Sequence, residues 1–223
     1  MKLFFKNKTN KKLLNRGFTL VELLVTITIF VIITGVVLVN SNKFDSTELL
    51  NNFSYDTALT IKQAQSYGVN ARENNLGSFN TNLSGYGVYF NIDPATGAGG
   101  SNTNFVLFND ISDNLGTGNP DKIYNGSITS CPTDSLECVQ KYSIKKGLYI
   151  KNICAGASEA TCDSSITKLS ILFYRPNLAA FIYTVNGTFV SVPQSYARIT
   201  LASLDGATSS VVITAVGQIY VKR

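Results

Sequence analysis

Four groups of residues have chemistry to offer. Cys131, Cys138, Cys154 and Cys162 are the four cysteines. Asp110, Asp113, Asn114 and Asp121 bring three carboxylates and an amide carbonyl into a span of twelve residues, a donor set that suits Ca²⁺. That run lacks the terminal glutamate of an EF-hand loop, and Asn, Asp and Gly are also ordinary turn formers. Lys141, Lys145, Lys146 and Lys151, interleaved with Tyr142 and Tyr149 and joined by Lys222-Arg223, could meet nucleic-acid phosphates, or simply cover a solvated strand face. Glu22 is the one charge in an apolar run of 22 residues, and a carboxylate in such a place costs about 2.5–3.5 kcal/mol on insertion scales, which makes it functional by default.

Other chemistry is excluded or weak. The chain has no histidine, which removes Ser-His-Asp and Cys-His sites and His-ligated metals. Ser112-Asp113-Asn114 and Ser143-Ile144-Lys145-Lys146 superficially match pieces of penicillin-binding enzymes, but their order is reversed and no Lys-Thr-Gly occurs. A four-cysteine zinc site lacks paired C-x-x-C spacing. Four cysteines allow three pairings; local bonds, Cys131 to Cys138 and Cys154 to Cys162, are favoured. Each closes a loop of about eight residues, worth about 2.5 kcal/mol in the chain-entropy model.

These residues need elements to hold them. Residues 1–17 carry Lys2, Lys6, Lys8, Lys11, Lys12 and Arg16 and no acid. Residues 18–39 follow as the apolar run, about 33 Å long as a helix and close to the thickness of a bilayer core. Basic residues before it predict a cytoplasmic N-terminus and a translocated remainder, so the cysteines reach an oxidising side. Glu22 lies four residues after Phe18, one helical turn on and on the same face. Leu50, Phe53, Thr57, Ile61, Ala64 and Gly68 form a second stripe at helical spacing. Asp45-Ser46-Thr47-Glu48 has the form of a capping box that would begin a separate helix. With no proline before Pro94, one helix from residue 18 to about residue 72 is the preferred reading.

From residue 83 the period changes to two. Strands are expected at 85–90, 104–108, 148–153, 168–174, 179–185, 196–201, 210–214 and 218–221, with turns at Asn186-Gly187, Asp205-Gly206 and Val216-Gly217. The fold class is α+β: a long N-terminal helix laid on one antiparallel β head.

Arg16-Gly17-Phe18-Thr19-Leu20-Val21-Glu22-Leu23-Leu24 resembles the processing site of type IV pilins and type II secretion pseudopilins. The resemblance implies cleavage between Gly17 and Phe18 by a prepilin peptidase, N-methylation of Phe18, and a register-setting role for Glu22 in filament assembly. It implies four segments: a leader over 1–17, a transmembrane and assembly helix over 18–39, an amphipathic continuation over 40–75, and an extracytoplasmic head over 76–223. It also implies a structural subunit and not an enzyme. Its setting is the bacterial cytoplasmic (inner) membrane, then a periplasmic or extracellular filament. Its partners are other pilin or pseudopilin subunits, an assembly platform and an ATPase. No cofactor is expected beyond the calcium candidates. The tail over 211–221 resembles, in composition, the final hairpin of minor pilins of the pseudopilin H type. A DNA-binding minor pilin and a signal-anchored extracytoplasmic protein are the rival readings.

The resemblance also reinterprets the charge. The whole chain has 19 basic and 14 acidic residues, a formal charge of +5 and a pI near 9.0. Removal of residues 1–17 leaves 13 basic against 14 acidic side chains. The basic excess therefore speaks for topology and processing more than for nucleic acid.

Overall fold

The computed structural model describes residues 17–70, 85–93, 99–111, 120–131, 136–186, 189–190 and 192–223. One helix, α1, runs Leu20–Val69. The capping-box sequence at 45–48 does not start a new helix, because nothing in this stretch removes a backbone donor or interrupts the ladder. The chain nevertheless divides into two compact units, Met1–Asn42 and Lys43–Arg223, so the second half of α1 belongs with the β head.

In the first unit, the segment Leu20–Leu38 is long and apolar enough to cross a membrane, and its side chains are not buried against protein. Leu20, Val21, Phe30 and Val37 are all exposed. Such a segment needs an apolar surrounding. Its threonines suit that surrounding, since Thr26, Thr28 and Thr34 donate their hydroxyls to the carbonyls of Leu23, Leu24 and Phe30, each at 2.8 Å. No hydroxyl in this set asks for water.

In the second unit, Leu50, Thr57, Ile61, Ala64 and Gly68 are buried along one face of α1, with Phe53 half-buried beside them. Ser54, Thr57 and Thr60 are buried hydroxyls on the same half, and each donates to the carbonyl four residues back, at 2.8, 2.9 and 3.0 Å. That satisfies the hydroxyl donors within the helix. At Gly68 the helix passes so close to β5 that an added Cβ would lie 2.3 Å from the Phe173 carbonyl oxygen.

The strands are β1 Gly85–Asn91, β2 Asn104–Asp110, β3 Cys138–Ser143, β4 Leu148–Gly156, β5 Lys168–Phe173, β6 Ala180–Asn186, β7 Phe189–Val190, β8 Tyr196–Ser203, β9 Thr208–Thr214 and β10 Ile219–Lys222. All described pairs are antiparallel. They form two sheets where the sequence suggests one: a six-stranded sheet ordered β3-β2-β1-β5-β6-β7 and a four-stranded sheet ordered β10-β9-β8-β4.

The central strands of the six-stranded sheet, β1, β2 and β5, are buried on both faces. Val88, Phe90, Phe105, Leu107, Leu169, Ile171 and Ile182 join Ile61 of α1 and Ile150, Ile199, Val211 and Ile213 of the other sheet in the main core. The alternate residues Tyr89, Val106, Phe108, Leu172 and Tyr183 point the other way. They pack under Ile123, Tyr124, Ile128 and the Cys131 and Cys138 pair in a second core. The segment 120–131 is thus a lid of irregular chain over a sheet face, held by side-chain bonds.

Candidate functional site

Gly17, Phe18 and Thr19 lie outside regular structure, immediately ahead of α1. Phe18 is 78 % exposed, and a Cβ placed on Gly17 would meet nothing within 4 Å. The Gly17–Phe18 bond is therefore an open, non-helical bond, the condition a peptidase needs to take the chain into its own cleft. Thr19 ends this stretch as the helix cap. Its hydroxyl accepts the Glu22 N–H at 3.2 Å, and its carbonyl accepts the Leu23 N–H at 3.1 Å. A capped start fixes where the helix begins and so where Glu22 stands relative to the Gly17–Phe18 bond. Glu22 itself is exposed in the first turn, where a carboxylate also complements the positive end of the helix dipole.

Residues 13–38 match the family model described as the prokaryotic N-terminal methylation motif. The chain carries a type IV pilin-like N-terminus. The match covers the junction and the apolar segment and leaves the β head outside it. No curated protein and no solved structure matches the chain. The motif implies processing by a prepilin peptidase and assembly with other pilin-like subunits.

The remaining candidate residues lie in the head. Cys131 bonds Cys138 with Cα atoms 5.7 Å apart, and Cys154 bonds Cys162 with Cα atoms 5.5 Å apart. Asp110 ends β2 fully buried. Its Oδ1 accepts the Asp121 N–H and its Oδ2 the Lys122 N–H, both at 3.0 Å, and Tyr174 donates its hydroxyl to Oδ2 at 3.2 Å. Asp121 turns its own carboxylate inward, accepting from the Ile123 N–H at 3.0 Å and from Asn125 Nδ2 at 3.2 Å. The two aspartates are therefore used to fasten the 120–131 lid. Among the described residues no group of three or more His, Cys, Asp or Glu side chains is arranged to hold a metal. Asp113 and Asn114 lie outside the described residues.

Glu137, which the sequence reading passed over, completes this fastening. It is buried, and it accepts the Ile111 N–H at 3.2 Å and the Asn125 N–H at 2.8 Å, one on each carboxylate oxygen. Burial first, then the charges of Glu137 and Asp121, pushes the Asp110 carboxyl up to about 7. Glu137 had one signal in sequence, an acid directly before a cysteine, and that is too common to single out. Thr19 had a better one, a threonine three residues before Glu22 in the capping-box pattern.

The lysines lie in three settings. Lys141 on β3 donates to the Thr129 carbonyl at 2.7 Å. Lys145 and Lys146, in the turn before β4, line a groove of about 540 Å³ together with Phe53, Leu59 and Tyr142. Lys146 adopts a left-handed φ of 61°, followed by Gly147 at 76°, a tight turn in which only the glycine is free of strain. Lys151 is exposed on β4, in the other sheet.

Proposed function

We propose that this chain is a pilin-like structural subunit. It waits in the cytoplasmic membrane, is cut after Gly17 and methylated on Phe18, and joins a type IV pilus or type II secretion pseudopilus through its N-terminal helix. The carrying observation is the methylation motif set directly on an exposed apolar helix, with Glu22 in that helix's first turn. Assembly replaces lipid around Leu20–Leu38 with the same segment of other subunits, a trade that conserves apolar contact and so turns on packing and polar pairing. Cleavage creates a new amine on Phe18. One helical turn on, Glu22 is placed to neutralise that cation or a neighbour's, and an unpaired carboxylate among packed helices is costly enough to set register. The prepilin peptidase, the assembly platform and its ATPase are the partners of this reading, and the head faces outward.

Mass spectrometry of the N-terminus tests the processing: a peptide beginning at methylated Phe18 is expected, and it disappears when the peptidase is deleted. Glu22→Ala is expected to be cut normally yet to be absent from sheared filaments. Incorporation of that variant at the wild-type level would remove Glu22 from the mechanism.

A further inference from the structure

The lid over the second core is fastened in two different ways. At its far end Cys131 is bonded to Cys138 at the start of β3, a covalent tether. At its near end four backbone N–H groups point into carboxylates. Those of Asp121 and Lys122 donate to Asp110, both at 3.0 Å, that of Ile123 to Asp121 at 3.0 Å, and that of Asn125 to Glu137 at 2.8 Å. Between the two ends Ile123, Tyr124 and Ile128 are buried on the sheet. The Tyr124 ring lies 6.1 Å from that of Tyr89 and 5.9 Å from that of Phe108.

The near end is built from like charges out of water. Asp110 is fully buried, and Glu137, directly before β3, is 1 % exposed. Glu137 and the lid's Asp121 both act on Asp110 as anions. The cation beside them is Lys122 of the lid, whose ammonium lies over the Tyr183 ring of β6, 5.5 Å from its centre. From the end of β5, Tyr174 donates its hydroxyl to Asp110 at 3.2 Å. Its ring leans over Gly85, the β1 residue paired with Asp110, where an added Cβ would lie 2.5 Å from it. Burial raises the phenols of Tyr89, Tyr174 and Tyr183, so they stay neutral while carboxyls titrate. Three carboxylates thus meet around one ammonium, an arrangement that favours keeping a proton.

We propose that the 120–131 lid is a proton-controlled latch: protonated Asp110 pins its first half to the sheet, and ionised Asp110 lets Asp121–Asn125 lift from Tyr89 and Phe108 while Cys131 holds the other end. Repulsion and hydration drive it. In the closed lid an ionised Asp110 faces two carboxylates in a dry site, whereas in the lifted lid all three are hydrated. The closed lid therefore binds a proton that the open lid releases. The ordinary carboxyl value is 3.8 and the closed-lid value is about 7. Opening is thus hardest below 3.8, becomes easier as pH rises, and levels off above about 7. Burial of Ile123 and Tyr124 resists opening at every pH, so the open form is a minority whose size the proton sets. The latch does not depend on the filament reading.

Hydrogen exchange of the full chain in detergent tests this, read by mass spectrometry on peptides covering residues 120–125 and corrected for the intrinsic rate at each pH. The opening constant is expected to rise by up to about tenfold per pH unit between about pH 5 and pH 7, and to flatten above that. Amides of β8 and β9, in the other sheet, are expected to exchange more slowly than the lid throughout. Asp110→Asn is expected to flatten the rise. Glu137→Gln removes one of the two anions and is expected to move the rise to lower pH. Both substitutions also alter a hydrogen bond, so the readout is the slope against pH and not the level, with circular dichroism confirming the fold. A wild-type opening constant that ignores pH overturns the proposal, as does an unchanged rise in folded Asp110→Asn or Glu137→Gln protein. Lid amides that exchange only as fast as those of β8 and β9 overturn it too, because the whole head would then be opening.

Discussion

Asp110 shows how the chemistry of a single side chain admits more than one use. In sequence it is an oxygen donor among other oxygen donors, which suits a cation. In the fold its oxygens accept two backbone N–H groups and a tyrosine hydroxyl. Glu137 and Asp121 face it as anions, Lys122 contributes a cation beside them, and Tyr174 and Tyr183 close the remaining side. Burial and the two carboxylates outweigh the hydrogen bonds and raise its carboxyl from 3.8 to about 7. The unfolded chain gives up this proton at lower pH than the folded chain does. Stability from Asp110 is thus fully present below 3.8 and is lost as pH rises through about 7. Asp110→Asn keeps one acceptor and cannot ionise. Urea unfolding followed by circular dichroism is expected to show wild-type stability falling between about pH 4 and pH 7, and a flatter profile in the variant. Equal slopes would show that the titrating group is elsewhere.

At the level of elements, the close approach of α1 to β5 is the most demanding contact. Gly68→Ala puts a Cβ 2.3 Å from the Phe173 carbonyl oxygen, and a backbone atom cannot rotate away. The expected loss is about 1–3 kcal/mol, as for other overpacked sites. Gly35→Ala, where a Cβ meets nothing within 4 Å, is expected to leave the unfolding of the head unchanged. The helix stripe was readable because Leu50, Phe53, Thr57, Ile61, Ala64 and Gly68 keep one period along one buried face. Eight strands were readable, close to their observed limits, from β-branched and aromatic runs between turn residues. β3 was not, because CVQKYS lies at a sheet edge and buries only Cys138 completely, so its lysine and tyrosine looked like a basic patch. β7 is two residues long and leaves no period to detect. The division into two sheets was hidden for a different reason. β1 is buried at every position, and a strand covered on both faces no longer alternates between apolar and polar residues. The junction site was the most legible part of all, since its signal is local: glycine, phenylalanine, threonine and glutamate in fixed order.

For the whole molecule, the proposed cleavage would change more than length. Six of the 19 basic residues and none of the 14 acids precede Phe18, so a cut there would take the chain from a net +5 to a slight acidic excess. Isoelectric focusing is expected to show a basic precursor, near 9.0, replaced by a species focusing below neutrality when the peptidase is present. A processed form that stays basic would place the cut elsewhere.

Both disulfides join a cysteine to the next cysteine along the chain, 131 to 138 and 154 to 162. On the proposed topology, with the N-terminus held back and the head translocated, this is also the order of arrival at the far side. An oxidant that bonds each thiol to the next one to emerge produces the native connectivity at once. Proofreading by an isomerase then has nothing to correct. Loss of the compartment's oxidase should leave reduced chains, whereas loss of its isomerase should leave the yield of correctly bonded protein unchanged, as non-reducing peptide maps of the two strains would record.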